Sequence, residues 1–212
     1  MNRTTFLIDG FNLYHSLVDA SRDLKNASTK WLNIKSLCDS YLAAIGNNAQ
    51  IEKIYYFSAL AEHMKNKDPE KVNRHINYIK CLEATGLVVE LGRFKSKTVW
   101  CDQCKSELTR YEEKETDVAI SIKTMEVLMN NECDTVVLVT GDTDLAPAVR
   151  AVKRLFPDKD ITFIFPYKRK NKELVNIVNR SFKTKKEHYT QHQFPNPFTL
   201  NDGKKIYKPT SW

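Results

Sequence analysis

The sequence predicts an α/β protein: a mostly parallel sheet covered by helices on both faces. Three observations carry that prediction. Apolar runs alternate with helical periodicity along most of the chain; Thr135-Val136-Val137-Leu138-Val139 runs without polar alternation, as a strand buried on both faces requires; and Asp residues stand directly behind two of the strands.

The elements follow in order. Thr4–Ile8 reads as a short buried strand ending at Asp9-Gly10. Asn12–Ala20 has helical spacing, with Leu13, Leu17 and Ala20 on one face, and Asn33–Ile45 is a second helix stopped by Gly46-Asn47-Asn48. Ile51–Ser58 is rich in β-formers. Pro69–Thr85 places Val72, Ile76, Ile79 and Leu82 on one helical face, with Gly86 in the position that ends helices. Leu87–Leu91 is a strand, and the polar stretch 95–110 is a hairpin insertion. Thr116–Met129 is a helix, Thr135–Val139 a strand, and Leu145–Phe156 a helix stopped before Pro157. Ile161–Phe165 and Glu173–Val178 complete the pattern as strand and helix. Residues 1–182 thus make one domain, and 183–212, where periodicity disappears, an extended basic and aromatic arm.

Composition narrows the classes. The chain has 212 residues, 42% hydrophobic and 28% charged, with only 6 Gly and 7 Pro, which excludes collagen-like and low-complexity chains. No apolar run approaches the roughly 20 residues of a membrane span, and Phe6-Leu7-Ile8 is too short for a secretory core. Five Cys with a single close pair do not make a disulfide framework, so a reducing, cytoplasmic setting is expected. The net charge of +7 is uneven: residues 145–212 carry 15 Lys and Arg against 5 Asp and Glu, residues 1–144 carry 18 against 21. A polyanionic partner approached through the basic third, or a solvated basic tail, both follow.

Ligands of open parallel sheets bind beyond the carboxyl ends of the strands. Asp9 with Asn12 follows the first strand, Asp142 and Asp144 follow the Val-rich strand, and Asp117 opens the helix before it. Singly, each has a local explanation as a turn, first-turn or capping residue. Together, carboxylates about 5 Å apart repel by roughly 3 kcal/mol per pair at an effective dielectric near 20. A cation or a proton relieves that cost. Asp oxygens suit Mg²⁺ or Mn²⁺, and such a centre can serve displacement at phosphorus.

The segments Phe6-Leu7-Ile8-Asp9-Gly10-Phe11-Asn12-Leu13, Glu112-Glu113-Lys114-Glu115-Thr116-Asp117-Val118 and Val136–Thr140 with Gly141-Asp142-Thr143-Asp144-Leu145-Ala146-Pro147 resemble, in this order, the NYN domain family, in its LabA-like bacterial branch. The resemblance covers roughly residues 4–180. It implies a Rossmann-like sheet of PIN type and metal-dependent hydrolysis of RNA phosphodiesters. Asp9, Asp117, Asp142 and Asp144 would be the Mg²⁺ or Mn²⁺ ligands or their supports, and Asn12 would contact water or substrate phosphate. A non-catalytic nucleic-acid-binding or scaffolding module with the same fold is the alternative.

Three further groups stand out. Cys101 and Cys104 form a CxxC pair, read as half of a structural Zn²⁺ site that Cys81, His75 or His63 would complete, as two reduced thiols, or as a redox pair. His15 lies one helical turn beyond Phe11 and Asn12, facing the acidic crevice or the surface. Lys168, Arg169, Lys170 and Lys172, then Arg180, Lys183, Lys185 and Lys186 with Phe182, Tyr189, Phe194 and Phe198 interleaved, have the composition of a single-strand nucleic-acid groove, and the family resemblance implies RNA more than DNA. The aromatics are expected mainly to pin the arm to the domain.

Overall fold

A computed structural model describes the chain from Met1 to Trp212. Its centre is a seven-stranded sheet formed by β1 (Asn2–Asp9), β2 (Ala49–Ala59), β3 (Val88–Cys101), β4 (Ser106–Lys114), β5 (Thr135–Val139), β6 (Asp160–Phe165) and β7 (Arg180–Lys183). The strand order is β4-β3-β2-β1-β5-β6-β7. Every pairing is parallel except β3 with β4. The chain therefore builds outward from β1 to β2 and β3, then returns to place β5 on the other side of β1. That reversal opens a crevice between the carboxyl ends of β1 and β5.

Alternation along each central strand feeds two cores. Phe6 and Ile8 of β1, with Val137 and Val139 of β5, face α1 (Gly10–Asp23), α2 (Ile34–Asp39), α3 (Leu42–Ile45) and α4 (Pro69–Ala84). Leu7, Val136 and Leu138 face the opposite way, against α5 (Thr116–Met129), α6 (Ala146–Leu155) and α7 (Lys172–Asn176). The uninterrupted apolar strand was the correct signal for a sheet covered on both sides.

Several boundaries differ from expectation for local reasons. The helix expected over Asn33–Ile45 is two: Ser40 turns its hydroxyl back to the Leu37 carbonyl at 2.6 Å, and α2 ends there. β3 does not stop at Leu91 but runs on to Cys101, because its outer half pairs with β4 as a ribbon, register Arg93 with Lys114 to Cys101 with Ser106. Strand β7 carries too few apolar residues to be visible in sequence. Beyond it, residues 183–212 carry a short helix α8 (Lys186–Gln191) and a two-stranded ribbon, β8 (Phe198–Thr199) with β9 (Lys205–Ile206). Tyr189, Phe194 and Ile206 of this segment are buried in the α1–α4 core, and the Tyr189 hydroxyl meets Ser16 Oγ at 2.8 Å.

Candidate metal centre

Asp9 is the last residue of β1 and Asp142 lies just beyond β5, so parallel pairing of these strands sets their carboxylates on the same edge. Asp117, in the first turn of α5, reaches the same point. One carboxylate oxygen from each of the three lies within 4.8 Å of the others. Two glycines let neighbouring backbone close on the turns that follow Asp9 and precede Asp142. A Cβ on Gly10 would stand 2.5 Å from the Phe57 carbonyl oxygen, and one on Gly141 would stand 1.9 Å from that of Arg169. Neither position tolerates a side chain without a backbone shift.

Hydrogen bonds fix the carboxylates. Asp9 caps α1, Oδ1 accepting from the Asn12 backbone N–H at 2.9 Å, while Oδ2 accepts from the Thr140 hydroxyl at 2.8 Å. The Asn12 side-chain oxygen accepts from the Gly141 N–H at 3.0 Å and ties α1 to the turn after β5. Asp142 caps the short 3-10 turn Thr143–Leu145 by accepting from the Asp144 N–H at 3.0 Å. The capping and converging roles are therefore held by the same side chains. Thr140 was missed in the sequence, where nothing separates a site hydroxyl from an ordinary strand-end Thr.

The electrostatics are those of uncompensated negative charge. Asp9 is 4% exposed, and burial first, then the charge of Asp142, raises its pKa against the lowering effect of its two hydrogen bonds. Asp117 is pushed up to about 6 by burial, then by the charges of Asp142, Asp9, Glu113 and Asp144. No Lys or Arg forms an ion pair with any of these four Asp residues. A donor set of three carboxylates, crowded and lacking a cationic side chain, fits a hard divalent cation. Asp144 stands apart from the trio: it is exposed in the 3-10 turn and acts on Asp117 through its charge. Glu113 contributes similarly while accepting from the Thr116 N–H at 3.3 Å and from the Thr116 hydroxyl.

The other candidates divide. Lys168 pairs with Asp23 at 2.5 Å and Arg169 with Asp19 at 2.6 Å, so both brace the loop after β6 against α1. Arg180 opens β7 at the opposite, amino edge of the sheet, paired with Asp160 at 2.8 Å and donating to the Ile45 carbonyl. It is a strut between strand starts and does not flank the acidic trio. Lys170 and Lys172 alone of the five are exposed and without an acidic partner. Cys101 and Cys104 sit at the tip of the β3–β4 ribbon, Cys104 Sγ 3.0 Å from Ser106 Oγ. No third Cys, His, Asp or Glu is gathered with the pair within 4.8 Å, and Cys81 is fully buried in the α1–α4 core. His15 is exposed beside Tyr14.

Fold and site together define an open-sheet α/β protein with a carboxylate centre at its topological switch point. The NYN domain model matches residues 3–185, and the chain belongs to the NYN domain family, a PIN-like and generally nuclease-like family that acts on nucleic acids. It is similar to 6-hydroxy-3-succinoylpyridine 3-monooxygenase of Pseudomonas putida, 23% identical over 241 aligned residues, covering 99% of this chain and 75% of that protein. Its fold is similar to the crystal structure of a protein of unknown function from Vibrio parahaemolyticus: TM-score 0.53, 16% identity, 87% of this chain and 93% of that one. No helix is long and apolar enough to cross a membrane.

Proposed function

We propose that this protein is a metal-dependent ribonuclease whose Mg²⁺ or Mn²⁺ is held by Asp9, Asp117 and Asp142. The convergence of three sequence-distant carboxylates within 4.8 Å carries the reading. When bound, the ion would supply Lewis-acid activation of the phosphodiester and of attacking water. Asp9 and Asp142 are fixed by their own caps, so their oxygens are pre-aimed and little rearrangement is needed. Asp117 is pushed up to about 6 by burial and its acidic neighbours, a crowding that a bound cation would relieve. Thr140 and Asn12 position the carboxylate of Asp9 and the turn after β5. Lys170, on the loop after β6, and Lys172, at the start of α7, are the free cations there and would meet the RNA backbone.

The name of the Pseudomonas relative specifies oxidation of a pyridine compound. A non-haem iron centre for such a reaction is typically held by two His and one carboxylate, and the trio here contains no His. A carboxylate-only set suits a hard divalent cation and hydrolytic chemistry.

The test is incubation of the purified protein with labelled RNA and DNA, with Mn²⁺ or Mg²⁺. Cleavage of RNA that disappears in Asp9→Asn and Asp142→Asn is the expected result. Cleavage unchanged in both variants overturns the proposal. Salt-sensitive RNA binding without cleavage replaces it with the binding-module alternative.

A further inference from the structure

A cleft of about 500 Å³ opens between the start of α1, the end of β2, α4 and Trp212. It falls within the size range of small-molecule sites. Gly10 and Phe11, the two residues that follow Asp9, form part of its wall, so the cleft and the trio share the β1–α1 turn.

Its lining has three chemical characters. Lys30, Lys71 and Arg74 face a single carboxylate, Asp68, whose approach to Arg74 is long at 3.5 Å. Lys30 and Lys71 have no acidic partner, and the pKa of Lys30 is lowered by burial and then by the nearby charge of Arg74. Unneutralised positive charge in a recess calls for an anion. The walls are aromatic. Phe11 and Phe94 meet edge to face with centroids 5.6 Å apart, and Trp212 is held against Tyr78 at 5.5 Å and Trp31 at 6.2 Å. Such surfaces accept a planar ring. The third feature is neutral and polar: His75 Nε2 stands 3.4 Å from Ser58 Oγ, and burial lowers the pKa of His75, which keeps it uncharged near neutral pH. A neutral imidazole and a hydroxyl offer both donors and acceptors to the edge of a heterocycle.

We propose that this cleft seats one nucleotide, its base between the aromatic walls and the Ser58–His75 pair, its phosphate on Lys30, Lys71 and Arg74. This rests on the nuclease reading only for its consequence, that the seated nucleotide presents the neighbouring phosphodiester to Asp9, Asp117 and Asp142. The chemistry is shared by a free mononucleotide and by a nucleotide of an RNA strand.

The experiment measures binding to the full chain in EDTA, where divalent-ion chemistry is stopped. Mononucleotides and short oligoribonucleotides are titrated separately, followed by tryptophan fluorescence and calorimetry. Saturable binding weakened at least tenfold in Lys71→Gln and in Arg74→Gln, with circular dichroism and Tm retained, is the expected result. Lys71 is exposed, so its substitution does not disturb packing. Binding of the mononucleotide assigns a free nucleotide as sufficient; binding of the oligonucleotide alone, weakened by Lys71→Gln, assigns a nucleotide within a strand. No binding of either, or binding indifferent to both substitutions, overturns the proposal even if RNA is cut with Mn²⁺. Absence of cleavage with Mn²⁺ defeats the nuclease reading and leaves this result standing.

Discussion

The hydroxyl of Thr140 donates to Asp9 Oδ2 at 2.8 Å and accepts from the Asp142 backbone N–H at 3.1 Å. One side chain at the end of β5 thus fixes a buried carboxylate and the backbone of the next Asp. Charge-assisted hydrogen bonds of this kind contribute about 1.5–3 kcal/mol.

Thr140→Val keeps the shape and removes the donor. Asp9 then loses a bond to its charged form, and its pKa, already raised by burial, rises further. Mn²⁺ affinity at pH 7.5 should fall about tenfold, as measured by calorimetry. Affinity equal to that of the parent protein would show that the Thr140 bond does not tune the Asp9 carboxylate for the ion.

The carboxyl of Asp117 titrates at about 6, against an ordinary value of 3.8. The folded state therefore binds its proton more tightly than the unfolded state, so this group's contribution falls as pH rises from about 4 through 6. The side chain is partly exposed, which limits the effect to about 1 kcal/mol. Without divalent ion, Asp117→Asn should be more stable than the parent at pH 7.5 and no more stable at pH 4. With Mn²⁺ the order at pH 7.5 should invert, since the ion stabilises only the intact trio. Thermal melts at the two pH values, with and without Mn²⁺, check both signs.

Gly141→Ala places a methyl carbon 1.9 Å from the Arg169 carbonyl oxygen, against backbone that cannot swing aside like a flexible side chain. A destabilisation of about 3 kcal/mol is expected, lowering Tm by roughly 6–12 °C for a domain of this size. A melt within 2 °C of the parent, a margin of about 1 kcal/mol or less, would show that the 166–171 loop does not pack there.

Neutralising Lys170 and Lys172 together should weaken binding of single-stranded RNA and reduce the slope of log affinity against log salt by about 1.4. Arg180→Gln should leave that slope unchanged and instead lower Tm, because Arg180 joins Asp160 and Ile45 at the far edge of the sheet. A reduced slope for Arg180→Gln would reverse the assignment.

At the CxxC tip, two thiols without a third ligand should not retain zinc in the monomer. Metal analysis of the purified monomer is expected to find none, and Cys101→Ser with Cys104→Ser should leave Tm unchanged. A zinc ion retained per monomer would mean a further ligand reaches the tip.

The sequence by itself determined the layering and marked four candidate Asp residues, Asp9, Asp117, Asp142 and Asp144, of which the tertiary structure gathers the first three. Val136–Val139 is apolar on both faces because helices cover both sides of the sheet, and Asp9, Asp117 and Asp142 were visible because strand ends and helix starts are marked by local chemistry. Only the tertiary structure decided which charges were already spoken for. Lys168, Arg169 and Arg180 are indistinguishable from Lys170 in composition, yet their partners Asp23, Asp19 and Asp160 lie 145, 150 and 20 residues away in the chain. The cleft escaped the sequence for the same reason: Lys30, Ser58, Arg74 and Trp212 come from four separate segments. Periodicity reports what a residue's own element buries. It carries no information on which distant side chain will meet it, and that meeting neutralises one cation while leaving another free.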